Sequence, residues 1–190
     1  MIRQAVPADR KQMAELVYVI FCDMELPLVS RYTKNELLEF VVEAMEDETY
    51  RYSETRAIVK EVAGKIAGVA FGYPAADEQA IDNAWKTIAQ KHHIAEPSAL
   101  FTDPETLPNE WYLDSICVAA DYRGQGIGKE LLASVETTAQ QSCYEYIGLC
   151  CDQKNPKAKK LYERFGYRVV TIQQLSGHTY DHMQKKLSLS

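Results

Sequence analysis

The chain lacks the features that mark membrane, secreted or nucleic-acid-coating proteins. No stretch approaches the ~20 apolar residues of a membrane span. The first residues, MIRQAVPADRKQM, have no apolar core of signal-peptide length. Positive charge is in deficit: 21 Lys+Arg face 27 Asp+Glu, a net charge of −6. That balance argues against non-specific nucleic-acid binding, which needs a basic face. A phosphorylated ligand stays open, because helix N-termini and local basic residues hold anions against the global sign. Cysteine is sparse and odd in number: Cys22, Cys117, Cys143, Cys150 and Cys151 show no CxxC spacing. The expectation is reduced thiols in a cytoplasmic protein, with no disulfide framework and no metal. His178 and His182 add no metal signal, since four residues along a strand separate them by roughly 13 Å. Repeats and low-complexity tracts are also missing. What remains is 46% hydrophobic and 25% charged residues over 190 positions, enough for one domain with its own core.

Hydrophobic periodicity orders the elements. Ile2 to Val6 is a short strand, and Asp9 with Gln12 forms a capping-box pattern. Met13, Leu16, Val17, Ile20, Phe21 and Met24 then recur at helical spacing. Thr33 and Glu36 repeat the capping box before Leu37, Leu38, Val41 and Met45. Two strands flank the turn Ala63-Gly64-Lys65. The segment 77–108 reads as an insertion: a helix with Ile81, Ala84, Trp85 and Ile88 on one face, then a loop punctuated by Pro97, Pro104 and Pro108. Its apolar stripe must cover the body of its own domain, a partner subunit (a homodimer) or an acceptor cleft. Beyond it come a strand from Glu110 to Val118 and a helix carrying Ile127, Leu131, Leu132 and Val135. A strand from Tyr146 follows, then a helix opened by Asn155-Pro156 and closed by Gly166, and two final strands. This order is an α/β (α+β) single domain spanning 1–190.

The sharpest motif is Arg123-Gly124-Gln125-Gly126-Ile127-Gly128, set between a strand and a helix. Glycines there let backbone approach a ligand and aim free N–H groups at one point, and the helix dipole adds positive potential. A pyrophosphate suits that arrangement. A dinucleotide fingerprint is excluded, because its third glycine would fall on Lys129. A Walker loop is excluded too, since it needs Gly at Arg123 and Ser/Thr at Glu130.

RGQGIG fits the (Gln/Arg)-x-x-Gly-x-(Gly/Ala) signature, and the chain here resembles the GNAT superfamily of N-acetyltransferases. The likeness runs through LDSICVAADYRGQGIGKELL and on to DQKNPKAKKLYERFGY, which is similar to the family's Asn-x-x-Ala-x-x-Leu-Tyr-x-x-x-Gly-(Phe/Tyr) block. The close match covers Glu110 to Tyr167. It implies a mixed, mostly antiparallel sheet of about seven strands flanked by about four helices. It also implies acetyl-CoA as cosubstrate and acetyl transfer to an amine by direct attack in a ternary complex. Arg123, Gly124, Gln125, Gly126, Ile127 and Gly128 would hold the pyrophosphate. Ile116, Cys117 and Val118 would pair with the pantetheine, with Asn155, Lys157, Ala158 and Tyr162 alongside.

Tyr162 is the candidate proton donor to the leaving thiolate. Only a neutral amine is nucleophilic, so a carboxylate must take its proton. Glu110, Tyr112 and Asp114 alternate onto one strand face, with Asp114 the first choice and Glu110 the second. A bulge would shift that parity. Cys117 has no histidine near it in sequence and reads as a packing residue. The expected acceptor is a small-molecule or peptide amine. The alternative is an acyl-CoA-binding regulatory module without turnover.

Overall fold

The computed structural model describes residues 1–94, 101 and 103–188; Pro97 lies outside them. Seven strands form one sheet: β1 (Ile2–Gln4), β2 (Ala57–Val62), β3 (Lys65–Pro74), β4 (Glu110–Val118), β5 (Tyr146–Asp152), β6 (Arg168–Leu175) and β7 (His178–Lys186). Their order is β1-β2-β3-β4-β5-β7-β6, and only β4 and β5 run parallel. The helices are α1 (Arg10–Asp23), the single turn α2 (Leu28–Arg31), α3 (Lys34–Ala44), α4 (Asn83–Lys91), α5 (Ile127–Gln141) and α6 (Pro156–Arg164). The mixed sheet with a helix inserted between the third and fourth strands is the expected architecture. Among the described residues no helix is long and apolar enough to cross a membrane.

Each sheet face has its own core. On one face α1, α3 and α4 bring Met13, Val17, Phe21, Leu37, Val41 and Trp85 against Val59, Val69 and Phe71. On the other, Leu131, Leu132 and Val135 of α5, with Tyr162 of α6, cover Ala70, Trp111, Leu113, Ile147 and Leu149. The stripe of the insertion therefore packs inside its own domain. Trp85 is fully buried and meets Phe21 edge-on at 6.5 Å between centroids. Removing this helix would open the core, so the insertion is not a detachable lobe.

Local signals hold at several helix ends. Thr33 accepts from the Glu36 N–H while Glu36 accepts from the Thr33 N–H, closing the capping box of α3. Asn155 Oδ1 caps α6 at the Ala158 N–H. The box expected at Asp9 and Gln12 does not form. Asp9 is taken instead by a two-point pair with Arg3, at 2.6 and 3.0 Å. Gln12 reaches across to accept from the Ile66 N–H. Two bonds to a guanidinium outweigh the single bond of a carboxylate to a cap amide, so for Asp9 the tertiary partner wins.

Candidate active site

β4 and β5 pair only at Glu110, Trp111 and Tyr112, opposite Tyr146, Ile147 and Gly148. Beyond Tyr112 the strands part, and the β4 edge from Leu113 to Val118 has no β5 neighbour. At the same place β4 carries a bulge: Leu113 pairs with Gly72 and Ser115 with Phe71, leaving Asp114 as the extra residue. The bulge reverses the alternation. Trp111 and Leu113 face the α5 side, yet so do Ile116 and Val118, while Cys117 turns into the opposite core. The parity shift allowed for in the sequence is therefore present.

The split opens into a cavity of about 430 Å³. Tyr162, Asn155 and Ile116 line it, as do Tyr112, Asp114, Ser115 and Cys150. Among the described residues carboxylates outnumber cations in its wall: Asp23, Asp103, Glu105, Asp114 and Asp152 stand against one ammonium, Lys154.

Asp114 is nearly closed off, with 1% of its side chain exposed. Its Oδ1 accepts from Arg51 Nη1 at 2.8 Å, and Oδ2 accepts from the Ser115 hydroxyl at 2.8 Å. Burial pushes its carboxyl up to about 7, against the opposing pull of Arg51. Arg51 is itself buried. It also donates twice to Asp82, at 2.8 and 3.0 Å, and once to Glu105 at 3.1 Å. Glu105 in turn accepts from the Tyr112 hydroxyl. Burial holds the Tyr162 phenol well above its usual range, so it carries its proton at neutral pH.

Glu110, the second candidate base, is not among the cavity's lining residues. It sits where β4 and β5 are still paired and has no exposed surface. Its carboxylate accepts from the Leu107 N–H and from Gln184 Nε2 and lies 3.1 Å from His182 Nε2. That placement removes it from direct contact with a substrate in the cavity. Cys117 is buried, and burial pushes its thiol up to about 11, as befits a packing residue.

The glycine loop has the expected form. Gly124 and Gly126 adopt φ of +78° and +83°, and α5 begins at the next residue, Ile127. A Cβ at either glycine would meet nothing within 4 Å, so backbone conformation and not crowding calls for glycine there. Arg123 folds back to donate from Nε to the Val118 carbonyl, tying the loop to the end of β4. Lys157 is exposed and Ala158 half-buried on α6.

Arg51, Glu105, Cys150 and His182 are the site's neighbours that pattern reading missed. Arg51 stands in an irregular loop, and Glu105 in the Pro-rich tail of the insertion. Cys150 and His182 meet only through β5–β7 pairing. The flanking of Arg51 by Tyr50 and Tyr52 is the one local hint that its side chain is buried.

Comparison with known proteins agrees with this geometry. A solved structure described as an acetyltransferase is 44% identical, covers 99% of this chain and 100% of its own, and superposes with a TM-score of 0.89. An N-acetyltransferase from Staphylococcus aureus Mu50 is 32% identical over 97% of this chain and 100% of its own, at a TM-score of 0.86. GCN5-related N-acetyltransferase 4, chloroplastic, of Arabidopsis thaliana is 36% identical over 61 residues, 32% of this chain. That match spans only 21% of the plant protein's length. The profile of the Acetyltransferase (GNAT) family matches residues 26–167, which takes in the split strands, the glycine loop and Tyr162. By its strand split, its glycine loop and these matches together, the chain belongs to the GNAT family of acetyltransferases.

Proposed function

We infer that this chain is an acetyl-CoA-dependent N-acetyltransferase that moves the acetyl group to a primary amine by direct attack in a ternary complex. The observation that carries this reading is the cavity at the β4–β5 split, whose lining brings together a buried phenol and a buried carboxylate. The acidic lining supports a cationic acceptor, since even with Asp114 and Glu105 paired to Arg51 the carboxylates Asp23, Asp103 and Asp152 outnumber Lys154 and attract an amine in its resting, protonated form.

The free N–H groups of Gly124 to Gly128 and the start of α5 would hold the pyrophosphate. The unpaired edge of β4 at Ile116 to Val118 offers backbone groups to the pantetheine, with Asn155, Lys157 and Ala158 on the far side. Acetyl-CoA supplies an acyl group already activated as a thioester. Asp114 takes the ammonium proton, for which a carboxyl near 7 is well matched. A β4 amide near Val118 steadies the developing oxyanion, and Tyr162 gives its proton to the departing sulfur.

Calorimetry with CoA, paired with thiol release over a panel of amines, tests this. The expected result is CoA binding unaffected by EDTA, thiol release that depends on amine, and severe loss of CoA affinity in a folded Gly126→Asp. Binding without turnover on any amine would favour a regulatory acyl-CoA module. Unchanged CoA affinity in Gly126→Asp would refute the pyrophosphate placement.

A further inference from the structure

Cys150 and His182 are cross-strand partners on β5 and β7, so their side chains leave the sheet on the same face. Cys150 Sγ lies 3.4 Å from His182 Nδ1, and His182 Nε2 lies 3.1 Å from Glu110 Oε2. His182 and Glu110 are fully enclosed, while Cys150 lines the cavity. Gly148 makes the arrangement possible. A Cβ there would stand 2.0 Å from Glu110 Oε2, so only a bare backbone lets this carboxylate cross β5. Thiol, imidazole and orienting carboxylate stand in the order that activates a nucleophile.

The hydrogen bonding fits proton removal from the sulfur. With Nε2–H donated to Glu110, Nδ1 faces the thiol as acceptor. At rest the thiol donates to Gln173 Oε1 at 2.9 Å, and that oxygen also lies 3.1 Å from Nδ1. A proton passed to Nδ1 is met by that carbonyl, and the imidazolium then has an acceptor on each nitrogen. Burial pushes the Cys150 thiol up to about 12, so the resting group is the thiol and its proton must leave as the sulfur attacks.

We propose that Cys150 is a second acyl acceptor in this cavity, taking the acetyl group from acetyl-CoA when no amine is bound. Its sulfur lone pair attacks the thioester carbonyl carbon while His182 Nδ1 takes the thiol proton. The tetrahedral adduct expels the CoA sulfur with its bonding electron pair, and that sulfur receives the proton from His182. One thioester is exchanged for another: Cys150 thiol plus acetyl-CoA gives S-acetyl-Cys150 plus CoA. No oxidant or further reactant is needed, and excess acetyl-CoA drives the exchange. This rests on the acetyl-CoA reading above and adds an acceptor that reading does not use.

The test incubates the full chain with acetyl-labelled acetyl-CoA, without amine, and follows intact mass and peptide maps. One acetyl group per chain should appear on the Cys150 peptide and be removed by neutral hydroxylamine. Cys150→Ala should lose it, and His182→Gln, which keeps a hydrogen-bonding side chain, should slow labelling about 10²-fold. Circular dichroism confirms that each variant is folded. An exposed cysteine, Cys22, serves as the internal reference for unactivated thiols. Labelling of Cys150 no faster than Cys22, or equally fast in folded His182→Gln, would overturn the proposal. If CoA binds calorimetrically and Cys150 stays unlabelled, the proposal falls alone. If CoA does not bind, the acetyltransferase reading falls with it.

Discussion

Replacing Arg51 by methionine tests how the cavity floor is held together. The guanidinium is 4% exposed and makes four hydrogen bonds: two to Asp82 and one each to Glu105 and Asp114. It also stacks over Phe101 with 4.0 Å to the ring centroid. Methionine keeps the apolar stem and removes the charge, leaving three enclosed carboxylates facing one another. Breaking a buried pair from one side costs about 3–5 kcal/mol. At roughly 2–4 °C per kcal/mol for a chain of this size, Tm should fall by about 6–20 °C. The loss should also depend on pH. Without the cation, nothing offsets the burial that already raises the Asp114 carboxyl, so it titrates higher still in the folded chain. A carboxyl with a raised folded pKa contributes stability that is intact at low pH and lost as pH rises through that pKa. The deficit should therefore be small near about pH 4 and full near about pH 8. Thermal unfolding by circular dichroism across that range measures it, with Arg51→Met/Asp82→Asn expected to recover part of the loss at the upper end. A deficit independent of pH, or larger in acid, would refute the argument and reduce Arg51 to a packing residue.

Three further outcomes follow from the same geometry. Activity should rise as pH increases through about 7, where Asp114 loses its proton. Asp114→Asn should abolish that limb and lower kcat/KM by about 10²-fold or more; an unchanged limb would hand the base role to another group. Tyr162→Phe keeps the ring and loses the donor, so kcat should fall about 10²–10⁴-fold at near-native CoA affinity. Equal kcat with chemistry shown to be rate-limiting would leave Tyr162 as packing. Gly148→Ala puts a methyl group against Glu110 and should cost about 1–3 kcal/mol from overpacking. Urea unfolding should also detect the broken Glu110 hydrogen bonds, worth about as much again; a neutral substitution would contradict the closeness of the two groups.

The parts of the molecule legible in the sequence are those whose causes lie within a turn or two of chain. The Thr33–Glu36 box, the Asn155 cap, the α5 stripe and the glycine loop each carry their own signal. So does β4, which runs from Glu110 to Val118 as expected. The parts that were not legible depend on distant residues. Asp9 and Gln12 have the right spacing for a box, but Arg3 and Ile66 compete for them and win. The cluster around Arg51 joins positions 51, 82, 105 and 114, which come from four separate segments. No periodicity links them. His182 is unremarkable until the β5–β7 register sets it opposite Cys150.

Glu110 and Asp114 show why a face assignment alone could not choose the base. Strict alternation places both on one face, and both have enclosed carboxylates. What separates them is where β5 leaves β4. At Glu110 the strands are hydrogen-bonded and the side chain is driven across Gly148 toward β7, where His182 and Gln184 take it up. Two residues past the last paired position, Tyr112, the neighbouring strand is gone and an extra residue interrupts the β4 register. Asp114 is that residue. The same bulge restores Ile116 and Val118 to the α5 side, so the core continues beneath the split while one carboxylate turns into the cavity. Strand divergence and bulge thus act together: the first opens a space between strands, and the second supplies the acid group that faces it.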